Sequence, residues 1–268
     1  MTEEREPGGA TPYAPPGAPL SSLPVHAAAP GISPVAAVIG TFTAPGKTFE
    51  KLVAKPTWWL PLVAAILVTF VSTLLIAPKI DIEATMREMF QSIADKTNSE
   101  VSEEQIQQAL ARQGAPSAVR SAAQAAVSAP LAFFFIALLL WGGSRIMGSE
   151  SRYPQLLAIW GHSNLAFLVG GVLTMPLFFS VPDASLTQRQ ALRFVKSNLG
   201  AMLPDSTPAA LLSIAGSIDV FALATLALLV VGMRKLPEIS PASATSVPLA
   251  LWVLWVAGKA AFAALFFG

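Results

Sequence analysis

The chain has 268 residues, a formal net charge of +1 and no cysteine. It is 53% hydrophobic and only 12% charged, with a mean hydropathy of +0.59, where a soluble domain is about 45–50% apolar and about 25% charged. The balance excludes an ordinary soluble domain and offers nucleic acid no basic field, and without cysteine there are no disulfides or thiolate metal sites.

The opening MTEEREPGG is acidic and has no apolar core, so no cleaved signal peptide is predicted there. Residues 1–32 are rich in Pro, Gly and Ala, with little apolar periodicity, and are expected to form a disordered tail. In 33–54 the pattern changes. Phe49, Leu52 and Val53 share one helical face and Lys47, Lys51 and Lys55 flank it, which predicts an amphipathic helix lying in the membrane interface.

Spans follow. A bilayer core of about 30 Å needs roughly 20 apolar residues as helix. Five segments meet this: 58–77, 118–147, 156–181, 209–233 and 247–267. The fold class is therefore all-α membrane, a polytopic bundle of five transmembrane helices with a preceding interfacial helix, and the membrane domain runs over 33–268. Two long connections are predicted to be helical external loops. In 79–116, Ile82, Met86, Met89, Phe90 and Ile93 make one face, and Ser102 to Gln105 reads as a capping box. In 182–205, Ser185 to Gln188 reads as a second box, Leu186, Leu192, Val195 and Leu199 form a stripe, and Gly200 ends the helix.

Five spans put the termini on opposite sides. Arg145, Arg152, Arg234 and Lys235 crowd the short connections on the N-terminal side, so the positive-inside rule places the N-terminus in the cytoplasm and the C-terminus outside. On that count Trp58, Trp59, Trp141, Trp160, Trp252 and Trp255 all lie in the half of the membrane nearer the N-terminus. Tryptophan favours the headgroup level because its ring is apolar and its N–H wants a partner. The set, with Tyr153, is either a lipid anchor or a face that meets a partner.

Three stretches carry a family resemblance: Lys55-Pro56-Thr57-Trp58-Trp59-Leu60-Pro61-Leu62 with Pro45 and Phe49 before it, Tyr153 through Ser163, and Ile218 through Leu229. Together they resemble the Yip1 domain family in its bacterial branch. The resemblance implies five spans with a cytoplasmic N-terminus, in the bacterial inner (plasma) membrane. Eukaryotic relatives act in membrane trafficking through prenylated Rab GTPases and each other. The insertion at 79–116 and the Pro-rich tail depart from a compact relative.

Asp219 and Lys259 are the ionisable residues deepest in the spans. An intramembrane charge costs about 2.5–3.5 kcal/mol on insertion scales and needs a partner. Counted from the N-terminal side, their depths match within about a turn, so an ion pair between spans four and five is predicted. His162, Ser163 and Asn164 form a polar cluster in span three. Neighbours on a helix point about 100° apart, so His162 cannot serve Ser163 as a base. No Gly-x-Ser-x-Gly elbow or P-loop is present, and the only other histidine is His26. Catalytic, metal and cofactor sites are thus not predicted, and interhelical hydrogen bonding is the reading for the cluster.

The expected protein is a non-enzymatic membrane organiser or adaptor, in contact with the lipid bilayer and with a membrane-protein partner or a second copy of itself. A small transporter component using Asp219, Lys259 and His162 along a polar path is the alternative.

Overall fold

The computed structural model describes residues 31–113, 117–204 and 206–266, apart from the side chains of Gln113 and Leu192. The predicted tail falls outside them, except for Gly31 and Ile32.

Helices α1 (Pro34–Thr43) and α2 (Pro45–Ala54) form a hairpin bent at Ala44, where the proline at 45 forces the break. Ser33 caps α1, its hydroxyl accepting from the Ala36 N–H. The face of α2 expected to lie in lipid lies on protein instead: Phe49 and Leu52 are fully buried in one core cluster with Leu156, Ile159, Leu229 and Met233. Lys47 and Lys51 remain exposed on the far side. Two large apolar side chains fully buried amount to about 3–6 kcal/mol, enough to dock a ten-residue helix.

Four helices are long and apolar enough to cross a membrane by length and composition: α3 (Trp59–Ile76), carried on by a 3₁₀ turn to Lys79; α6 (Ala118–Ile146); α7 (Tyr153–Thr174), carried on by a 3₁₀ turn to Ser180; and α11 (Pro241–Phe266). Helix α7 is the axle. Of its most apolar window 56% is buried, against 6% for α11. α1, α2, α3, α6 and α10 (Val220–Met233) pack around α7, whereas α11 stands nearer the edge. The protein is an all-α, integral membrane bundle, with no strand among the described residues.

The segment expected as the fourth span is broken. Residues 209–233 make α9 (Ala209–Ser217) and α10 (Val220–Met233), separated at Ile218 and Asp219. α10 rises only about 21 Å and α9 about 13 Å, so neither crosses alone. α10 packs on α7 and α2, and α9 packs on α11.

Helices α4 (Ile82–Thr97) and α5 (Glu103–Gln113) fill the first long connection. The Ser102 box closes: its hydroxyl accepts from the Gln105 N–H at 3.3 Å and the Gln105 side chain accepts from the Ser102 N–H at 3.1 Å. Arg87 clamps the pair, reaching Glu103 at 2.6 Å and Glu83 at 2.9 Å. The second connection starts later than predicted. α8 (Gln188–Phe194) is boxed by Thr187 and Gln190 rather than by Ser185 and Gln188. The reason is upstream: the Ser185 and Leu186 N–H groups donate to the Lys79 carbonyl, and the Leu186 carbonyl accepts from the Asp81 N–H at 2.8 Å. Tied to the end of α3, 184–186 cannot wind into a helix. α8 then stops at Phe194, well short of Gly200.

Candidate functional site at the broken span

Asp219 explains the break. With β-region backbone (φ −116°, ψ 141°) it is the N-cap of α10, and its Oδ1 accepts from the Phe221 N–H at 2.8 Å and the Ala222 N–H at 3.1 Å. Two of the donors that any helix start leaves unmet are satisfied this way. Its other oxygen, Oδ2, accepts from the Ser197 hydroxyl. Around this bond the chain from the second connection runs antiparallel to the break. The Leu199 N–H donates to the Ile218 carbonyl at 3.1 Å, and the Val220 N–H to the Ser197 carbonyl at 3.2 Å. The approach is close because two glycines meet: a Cβ on Gly200 would stand 2.9 Å from the Gly216 nitrogen.

The ion pair predicted between Asp219 and Lys259 is not made among the described residues. Lys259 Nζ, from α11, donates to the Ser217 hydroxyl at 3.0 Å instead. The physical reason is the break. It turns Asp219 onto the N-terminus of α10, while Ser217, the last residue of α9, faces α11. Lys259 therefore stands at the negative end of the α9 dipole, where a cation is favoured. Ser217 in turn donates to the Ser213 carbonyl at 2.8 Å.

The cluster on α7 lies deeper in the bundle. His162 and Ser163 are fully buried and Asn164 is half-buried. His162 Nδ1 lies 2.9 Å from the Ala158 carbonyl, and because a carbonyl only accepts, Nδ1 carries the proton and Nε2 is left as an acceptor. Nε2, Ser163 Oγ and Thr225 Oγ1 have no hydrogen-bond partner among the described residues. A Cβ on Gly232 would meet Ile159 at 2.7 Å, and one on Gly170 would meet Phe221 at 2.5 Å, so α7 and α10 are antiparallel. That register sets Thr225 within about a turn of Ser163.

The tryptophans do not form one belt. Trp58 points inward, edge-on to Phe134 at 5.7 Å, whereas Trp59 is 52% exposed. Trp141 donates to the Ser151 carbonyl at 3.1 Å, and Trp160 packs into the core beside Phe133 and Leu157. Tyr153 is also used internally, donating to the Phe134 carbonyl at 2.9 Å. α11 begins six residues before the expected span, so Trp252 and Trp255 fall near the middle of the helix, and Trp255 is 67% exposed. An open groove of about 490 Å³ runs along α6 past Arg120, Gln124, Ser128 and Leu131, and none of the predicted site residues lines it.

The node at the break was missed as a unit. Its signal was Gly216 followed by Asp219 ahead of an apolar run, the pattern of one helix ending and another being capped. Among known proteins, the family model for the Yip1 domain matches residues 39–262. No curated protein matches the chain, and no solved structure does.

Proposed function

The chain belongs to the Yip1 domain family, and from that premise we propose that it acts as a non-enzymatic membrane organiser, associating with a membrane-protein partner or with itself through its lipid-facing helices. The observation that carries this is the position of α11. Its inner side joins the core through Ala244 and Val247, while its outer side carries Leu254, Trp255, Phe262 and Leu265, all exposed, and beside them Gly258 opens onto free space. Helices associate in lipid by close packing at small residues and by polar contacts. An aromatic ring at the middle of an outer helix serves packing better than headgroup anchoring. The bacterial inner membrane, with the N-terminus cytoplasmic, is the setting this reading assigns.

The test is photocrosslinking in membranes from a photoreactive residue at Trp255, with Trp59 as a second outward position and Trp58 as the inward control. Reproducible capture of one protein, or of a second copy, from Trp255 but not from Trp58 supports the reading. Capture of lipid alone from both outward positions overturns it.

The broken span favours a second reading. In transporters, discontinuous helices mark substrate and ion sites. On that reading Asp219, Lys259 and His162 line a path, and substituting them abolishes flux in vesicles while leaving abundance intact. Unchanged flux removes it.

A further inference from the structure

Non-helical backbone at membrane depth is tolerated only where protein covers it or where it lines a water-filled cavity. Here it is covered. Asp219 lies about 22 Å along the chain from Arg234 at the near end of α10, and what covers the break at that depth is the stretch 195–203 from the second connection. Its contacts are specific. Ser197 bonds the Asp219 carboxylate, Leu199 and Ser197 exchange backbone bonds with Ile218 and Val220, and Gly200 seats on Gly216. The stretch is internally braced as well: Asn198 Oδ1 accepts from the Ala201 N–H at 3.0 Å and Lys196 Nζ donates to the Ala201 carbonyl at 3.2 Å.

The break also divides the packing. On one side α10 packs on α7 and α2 and also on α11; on the other, α9 packs on α11 and on the 3₁₀ turn at Leu199–Met202. We propose that residues 195–203 are a strap closed over a hinge at Ile218 and Asp219 and held by Ser197 on Asp219, while a separate bond, Lys259 on Ser217, ties the end of α9 to α11, so that opening the strap or releasing that tie frees α9 to move relative to α10. Lys259 is the second catch. It holds the end of α9 from the α11 side, about 10 Å from the end of α11 by helical rise. Both catches are single hydroxyls on charged groups, so each can be removed without deleting the helix cap itself.

The absence of native cysteine makes the test direct. One cysteine is placed at Ala201, within the strap and only 6% exposed while it is closed, in the full chain reconstituted in phosphatidylcholine vesicles. Its labelling by a membrane-impermeant maleimide is timed against an exposed control, Glu100→Cys. A hydrogen bond to a charged group shifts an equilibrium by about tenfold to a hundredfold, so Ser197→Ala should speed labelling at 201 by about that factor. Ser197→Thr, which keeps the hydroxyl, should return the rate to the parent's, and Lys259→Met should speed it independently. A disulfide formed from Leu199→Cys and Ile218→Cys should suppress the acceleration by Lys259→Met. A cysteine at Ala244, fully buried at the opposite end of α11, should be unaffected throughout. Labelling at 201 that stays within twofold of the parent in both Ser197→Ala and Lys259→Met overturns the proposal. So does an equal rise at 244, which means general loosening rather than a strap.

Discussion

Asp219→Ala decides between two accounts of an intramembrane carboxylate. If Asp219 were an unsupported charge, its removal would recover the insertion cost of about 2.5–3.5 kcal/mol and stabilise the protein. The structure argues the opposite. Its Oδ1 holds two backbone N–H groups at 2.8 and 3.1 Å, and its Oδ2 holds Ser197. Losing a cap costs about 1 kcal/mol in water. Here the two N–H groups have no water to turn to, and each unmet donor costs about 1–3 kcal/mol. The two orphaned N–H groups and the stranded Ser197 hydroxyl, at about 1–3 kcal/mol each, together outweigh the recovered charge cost. The net expectation is a destabilisation of about 2 kcal/mol. Asp219→Asn keeps an acceptor for both N–H groups and should stay within about 1 kcal/mol of the parent, since Asn caps nearly as well as Asp. Denaturant titration in mixed micelles reads both values as a shift in midpoint at constant slope. A stabilised Asp219→Ala, or an Ala variant indistinguishable from Asn, would refute the capping account.

Other expectations follow from the same contacts. Gly232→Ala would set a methyl 2.7 Å from Ile159 and 3.0 Å from Phe49; overpacking there should cost about 1–3 kcal/mol in the same titration, whereas Gly258→Ala, facing open space, should be neutral or stabilising by up to about 1 kcal/mol. Trp58→Ala, which removes a half-buried aromatic packed on the core, should cost about 2–3 kcal/mol, below the range for a fully buried one, and Trp59→Ala well under 1 kcal/mol, a contrast that folded yield and melting would reveal. The α4–α5 clamp should respond to acid. Arg87 holds the Glu103 carboxyl down at about 2, against an ordinary value of 4.5, and the pairing with both glutamates raises Arg87. A carboxyl lowered by folding contributes above its unfolded value and loses that contribution as pH falls through its folded one. Spin-label distances between α4 and α5 should therefore hold above pH 4.5 and lengthen between there and pH 2; distances unchanged down to pH 2 would deny the clamp a role. High salt should weaken it at neutral pH, because the pair is exposed.

What could be read from the sequence was whatever depends on local pattern. The long apolar helices, the amphipathic face of α2 and the box at Ser102 are each fixed by residues within a turn or two of one another. What escaped depends on residues far apart. The Phe49 face looked like a lipid-facing surface because amphipathicity states that a face is apolar, not what covers it. The box at Ser185 was a correct local pattern overruled by Lys79 and Asp81, a hundred residues upstream, which hold that backbone in an extended bridge. The pairing of Asp219 with Lys259 assumed a straight helix. Equal depth then implied contact, but once the helix breaks, depth along the chain no longer gives direction.

The break also accounts for how one apolar segment serves two neighbours. A straight helix in the place of 209–233 presents one stripe to one side along its whole length. α7 is surrounded and α11, which packs on α6 and α10, is more peripheral; a rod held against α7 would cost α11 its contact with α9, and a rod against α11 would strip α7 of the Ile159 and Gly232 contact. Two shorter helices resolve the conflict, α10 closing the core and α9 holding the outer helix. The cost of interrupting a helix in lipid is the set of backbone groups it exposes. Asp219 meets the donors at the start of α10, and the 195–203 stretch meets Ile218 and Val220. Lys259 and Ser217 close the end of α9. Each polar residue at the node thus answers a backbone or dipole demand that the break creates. It follows that replacing Asp219 alone cannot restore a continuous span, because Gly216 and the seated Gly200 remain: Asp219→Leu should lower stability while leaving the α9–α11 contact in place.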